Sequence, residues 1–117
     1  MKFPCKRQWR QISLQETLIK AECAEMLRLH DYWRSSAAYR VRIALNLLGA
    51  EYESLPVDLL TGAHKTTEYL ALNPQGLVPV LEIDGQLMTQ SLAIIEYLNE
   101  VHAAGLLPKD PVARAQV

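Results

Sequence analysis

The chain has 117 residues, of which 50% are hydrophobic and 21% charged, with a formal net charge of −1. This is enough chain for one ordinary domain and too little for two, and its composition is that of a globular rather than a disordered protein. The near-balanced charge leaves no basic footprint for nucleic acid and no polybasic membrane patch, and no apolar run approaches the roughly 18 residues a transmembrane helix needs.

Residues 1–25 differ in character from the rest. Lys2, Lys6, Arg7 and Arg10 open the chain, and Ser13 with Glu16 three residues on forms a capping-box pattern at the start of a helical stretch. No apolar segment of the kind a secretory signal requires follows the charges, and Glu16, Glu22 and Glu25 interrupt any basic presequence face. Everything interpretable begins at Leu27, so residues 1–25 read as an appended or mis-assigned extension, with Met26 as the natural start. Cys5 and Cys23 make neither a disulfide framework nor a CxxC pair, which points to a reducing, cytoplasmic setting. His30, His64 and His102 are scattered, with no cysteine nearby and no ligand spacing, and no metal site is expected.

From Leu27 the pattern becomes regular. Leu27 to Tyr32 alternates like a strand. Ser36 to Leu48 reads as a helix with Val41, Ala44, Leu45 and Leu48 on one face and Gly49 as its stop. Tyr52 to Leu59 is a second strand, and His64 to Leu72 a short helix. Asn73-Pro74-Gln75-Gly76 is a loop. Val80–Ile83 and Gln86–Met88 flank Asp84-Gly85, a strong hairpin signal. A last helix spans about Ser91 to Ala103, with Ile94, Tyr97, Leu98 and Val101 on its core side.

The first crossover must join parallel strands and the hairpin must be antiparallel. The β-α-β-α-β-β-α order therefore predicts an α/β fold: a four-stranded mixed sheet with helices on both faces, the arrangement of a thioredoxin-like domain.

Ser35 and Ser36 lie where the first strand hands over to the first helix. A serine there is a helix cap before it is anything else. The same position offers free N–H groups and about half a positive charge, and a hydroxyl there can donate to a thiolate and lower its pKa. No histidine or lysine base stands beside either serine, so an acyl nucleophile is not indicated. Pro79 opens the third strand. In a thioredoxin-like sheet the Val78–Pro79 bond can be cis, leaving the backbone of Val78 to pair with an extended peptide. Gln90-Ser91 opens the last helix; alone the pair is a cap, but at the same end of the sheet it can hold a carboxylate. Two anion-friendly helix starts with a peptide-pairing edge between them suit a small acidic peptide that carries a thiol. Among Arg34, Arg40 and Arg42, Arg34 is the candidate for steering an anionic substrate.

The segments DYWRSSAAYRVRIAL, ALNPQGLVPVLEIDG and QSLAIIEYL resemble the N-terminal domain of zeta-class glutathione transferases, a group that includes maleylacetoacetate and maleylpyruvate isomerases. The resemblance runs from Leu27 to about Val117. It implies that Val78, Gln90 and Ser91 bind glutathione, and Pro79 is counted with them among the cofactor-binding positions. It also implies that Ser35, with Ser36 beside it, stabilises the glutathione thiolate. The implied reaction is addition of the thiolate to an activated cis double bond, rotation, and elimination to the trans isomer. The implied setting is a cytoplasmic homodimer with a small-molecule substrate and neither nucleic acid nor membrane as partner.

Two departures stand out. Many zeta-class proteins carry cysteine after the serine pair, where this chain has Ala37. The family also continues into a helical second domain that walls the substrate pocket. The expected organisation is thus residues 1–25 as extension, 26–107 as the glutathione-binding domain, and 108–117 as a linker into that second domain. Tyr39, Ile43 and Leu47 form a second apolar stripe on the first helix, the face expected to pack against it. Two rival functions remain: a general glutathione transferase conjugating electrophiles, and a non-catalytic glutathione-binding module. A thiol–disulfide oxidoreductase is disfavoured, since Ser35 to Ala38 fills the place of a redox CxxC.

Overall fold

The computed structural model describes residues 26–117. The helix expected from Ser13 and the reading of residues 1–25 as an extension lie outside the described residues. In chain order the elements are β1 (Leu27–Asp31), α1 (Ser36–Leu47), β2 (Glu53–Pro56), a 3-10 turn (Ala63–Lys65), α2 (Thr67–Leu72), β3 (Val80–Ile83), β4 (Gln86–Thr89), α3 (Ser91–Val101) and α4 (Pro111–Ala115). The four strands form one mixed sheet in the order β2-β1-β3-β4. β1 and β2 are parallel, and β3 is antiparallel to both β1 and β4. This is the thioredoxin-like topology expected from the pattern.

Side chains alternate across a strand, so the register assigns them to faces. Leu29 lies opposite Leu81 and Leu27 opposite Ile83. These four join Val41, Ala44 and Leu45 of α1 with Ile94 and Leu98 of α3 in the larger core. Leu29, Leu45, Leu81, Ile94 and Leu98 are fully buried, each contributing about 2 kcal/mol of apolar transfer free energy. The other face carries Arg28, His30, Val80 and Glu82. There Val80 packs with Val57 and Tyr69 beneath α2, forming a smaller core. The uncovered part of that face is held by charge: Arg28 lies 2.9 Å from Glu53 and 3.9 Å from Glu82.

Three departures from the expected pattern have local causes. The helix expected over His64–Leu72 breaks at Thr66, whose extended backbone (φ −69°, ψ 154°) restarts it as α2 while its hydroxyl accepts from Tyr69 N–H at 3.2 Å. β2 is four residues rather than eight because it is a largely exposed edge strand paired only with β1; β1 ends at Asp31, whose carbonyl takes a last bond from Val57 N–H at 2.7 Å. α3 ends at Val101, which is exposed rather than in the core, so its buried stripe stops at Leu98. Gly49 terminates α1 as expected, at φ +62°, with its N–H on the carbonyl of Asn46.

Candidate functional site

His30 near the end of β1 pairs with Val80 at the start of β3, and Val80 pairs with Thr89 at the end of β4. The segments that follow β1, precede β3 and follow β4 therefore meet at one end of the sheet. This is the carboxyl end of β1, where α/β folds place their ligands. Ser35, Val78, Gln90 and Ser91 all lie on those segments.

The start of α1 is built from a tight turn. Ser35 N–H donates to the Tyr32 carbonyl at 2.8 Å, and Ser35 Oγ accepts from Ala38 N–H at 3.1 Å, so Ser35 is the cap. An oxygen engaged as an acceptor leaves the hydroxyl hydrogen available to donate. Ser36 is the first helical residue and is exposed. The turn is stapled from below by Arg42, whose Nη1 sits 3.2 Å from the buried carboxylate of Asp31 and whose Nη2 donates to the Trp33 carbonyl at 3.3 Å. Arg34 stacks its guanidinium over the exposed Trp33 ring, 4.9 Å from the centroid. No hydrogen bond or ion pair ties it to the other candidate residues among those described.

The loop before β3 is held by Tyr69 and Asn73. Both the Tyr69 hydroxyl and Asn73 Nδ2 donate to the Leu77 carbonyl, and Asn73 Oδ1 accepts from Gln75 N–H at 3.1 Å. Burial pushes the Tyr69 hydroxyl up to about 12. Gly76 adopts φ +63°, and a Cβ there would stand 3.1 Å from the His64 carbonyl oxygen, so both its backbone angle and its closeness require glycine. The Val78–Pro79 bond is cis. Among the described residues, neither the N–H nor the C=O of Val78 meets a hydrogen-bond partner.

Gln90 makes no side-chain cap to α3, although as an isolated pair Gln90-Ser91 reads as a cap. Its backbone is at φ +70°, a region that favours glycine, and its Nε2 instead donates to Gln75 Oε1 at 2.9 Å. The first intrahelical bond of α3 runs from Ile94 N–H to the Gln90 carbonyl, which leaves the preceding N–H groups of the helix without intrahelical partners. Ser91 is buried, and its Oγ accepts from Arg40 Nη1 at 3.5 Å, linking the starts of α1 and α3.

The comparison with known families turns on the same segment: residues 25–100 match the family described as glutathione S-transferase, N-terminal domain. The chain belongs to this family. A maleylacetoacetate isomerase of Rhizobium meliloti (strain 1021) is 67% identical over 90 residues, covering 76% of this chain and 42% of that protein. A solved holo structure of maleyl pyruvate isomerase, described as a bacterial zeta-class glutathione S-transferase, superposes with a TM-score of 0.72 at 46% identity over 76% of this chain and 42% of that one. A glutathione transferase homologue from sulfitobacter, solved with bound glutathione, gives 0.71 at 33% identity over 78% and 44%. The chain thus spans about two-fifths of the length of the curated relatives it matches.

Four positions in this glutathione transferase domain escape sequence reading. Asn73 and Gln75 read only as loop residues, yet their side chains brace the turn before Val78 and the start of α3. Arg40 reads as a solvated helix residue but reaches Ser91. His64 reads as an ordinary surface or cap residue, yet its Nδ1 is buried without a protein partner. None has a sequence signature: Gln75 and Arg40 act through contacts with Gln90 and Ser91 in another element, Asn73 through a turn geometry that periodicity does not encode, and the burial of His64 Nδ1 is set by packing. The described residues also form a groove of about 690 Å³ lined by Glu96, Asn99, Glu100, Leu107 and Arg114, at the opposite end of α3 from Ser91.

Proposed function

We propose that this chain is the glutathione-binding half of a zeta-class, glutathione-dependent cis–trans isomerase acting on a maleyl-type dicarboxylate, either maleylacetoacetate, giving fumarylacetoacetate, or maleylpyruvate. The observation that carries this reading is the convergence of Ser35, the open backbone of Val78 and the uncapped start of α3 at one end of the sheet, in a chain 67% identical to a maleylacetoacetate isomerase over 90 residues. The residues fit the ligand class. A tripeptide with two carboxylates and a thiol needs a peptide-pairing edge, donors for its carboxylates and a donor for its sulfur.

The chemistry glutathione supplies when bound is a thiolate for reversible addition to an activated cis double bond. The chain's own part is to hold that sulfur. Ser35, its oxygen already accepting from Ala38 N–H, keeps its hydroxyl proton available as a donor, and the start of α1 adds positive potential. Ser36 stands beside it. Val78 offers an N–H and a C=O to a peptide backbone, with Pro79 fixing the turn. Ser91 and the N–H groups at the start of α3 take a carboxylate, and Gln90 lies beside them. Arg34 attracts a dicarboxylate to the site mouth. Residues 26–107 form the binding domain, and residues 108–117 lead into a helical domain that completes the substrate pocket. The full-length enzyme is a cytoplasmic homodimer.

The test joins this chain to the helical remainder of the Rhizobium meliloti relative and assays the product with glutathione. Isomerisation of maleylacetoacetate that outpaces conjugation of a chloro-dinitro aromatic is the expected result. Conjugation without isomerisation would favour a general transferase, and neither activity in a glutathione-binding chimera would favour a non-catalytic module.

A further inference from the structure

Of the three arginines at the start of α1, two are engaged by protein groups. Arg42 is held by Asp31, and Arg34 lies over Trp33. Arg40 has no carboxylate within ion-pair distance among the described residues; its one polar contact is to Ser91 Oγ, 51 positions away in sequence. A guanidinium carries only donors, so Ser91 must accept from it, and the serine hydrogen is thereby turned away and left to donate elsewhere. Ser91 is only 7% exposed, and a buried donor without a partner is costly. The N–H groups before Ile94 in α3 add further donors at the same point, and Gln90, committed to Gln75, does not cap them. Among the described residues the cluster is therefore all donors, and its one positive charge, on the exposed Arg40, has no ion-pair partner. A carboxylate, which has only acceptors and one negative charge, is the group that completes it.

We propose that Arg40 is a positioning and specificity residue of this site, orienting the Ser91 hydroxyl and supplying the counter-charge for one carboxylate of the bound peptide. The proposal rests on the glutathione reading above and gives Arg40 a role toward the bound peptide, distinct from the substrate steering assigned to Arg34.

The test is calorimetric titration of the chain and its Arg40→Ala and Arg40→Lys variants with three probes. These are glutathione, its analogue lacking the γ-glutamyl carboxylate (4-aminobutyryl-cysteinyl-glycine), and its glycyl ethyl ester. Arg40→Ala is expected to weaken glutathione binding roughly tenfold, the worth of one charge-assisted hydrogen bond, and Arg40→Lys to recover most of that loss. One of the two analogues should bind the unaltered chain weakly and lose nothing further in Arg40→Ala, which identifies the carboxylate. Equal losses for glutathione and both analogues, or an Arg40→Ala chain within about twofold of the unaltered one, would overturn the proposal while leaving glutathione binding intact. An unaltered, folded chain that does not bind glutathione would overturn both readings.

Discussion

At Ser35 one side chain has two hydrogen-bonding uses. Its oxygen satisfies Ala38 N–H, one of the orphan donors at the start of α1, and its hydrogen remains for a ligand. Capping is the part that stability reports. Ser35→Ala is expected to lower unfolding free energy by about 1 kcal/mol. Ser36→Ala, at an exposed first-turn position with no cap bond, should stay within about 0.5 kcal/mol of the unaltered chain. Denaturant unfolding of the two variants checks this. Equal losses would mean that the cap is not the one described. The serine pair is conspicuous in sequence, but which serine caps is decided by the turn Tyr32–Ser35 and by Arg42 beneath it, and neither is visible from local pattern.

The elements themselves were largely legible. Periodicity located the strands of the sheet and the faces of α1, and Asp84-Gly85 located the hairpin, because these depend on near neighbours in sequence. Which polar groups satisfy one another was not legible. Tyr69, Asn73, Gln75 and Gln90 come from α2, the loop and the start of α3, and their mutual bonds make the loop before β3 one braced unit. Tyr69 supplies a pH test of that unit. Its hydroxyl ionises near 10 in an unfolded chain and near 12 when folded, because burial disfavours the anion. Its stabilising contribution is therefore fully present below pH 10 and is lost as pH rises from 10 towards 12, where the phenolate can no longer donate to Leu77. Stability measured across that window should fall more steeply in the unaltered chain than in Tyr69→Phe. Parallel curves would contradict the assignment.

On the scale of the whole molecule, α1 is apolar on two faces. Val41, Ala44 and Leu45 are buried against the sheet and α3, while Tyr39, Ile43 and Leu47 are exposed, Leu47 at 69%. A second apolar face of this kind expects a partner surface, and a helical domain packed on it is consistent with a chain that covers about two-fifths of its relatives. The double variant Ile43→Lys, Leu47→Lys should leave stability of this chain within about 1 kcal/mol, since neither side chain is in the core. It should also lower binding of a hydrophobic dye and impair activity once the helical domain is joined. A large loss of stability in the chain alone would place those residues in its own packing instead.

The proposed function rests on glutathione binding at the end of the sheet formed by Ser35, Val78 and Ser91, with its sulfur at the serine pair. Calorimetric titration of this chain with glutathione, beside its Ser35→Ala, Ser36→Ala double variant, tests it most directly. One saturable site per chain is expected, weakened roughly tenfold in the double variant by loss of the hydroxyl donor. A folded chain that takes up no glutathione, or a double variant that binds it as tightly as the unaltered chain, would contradict it.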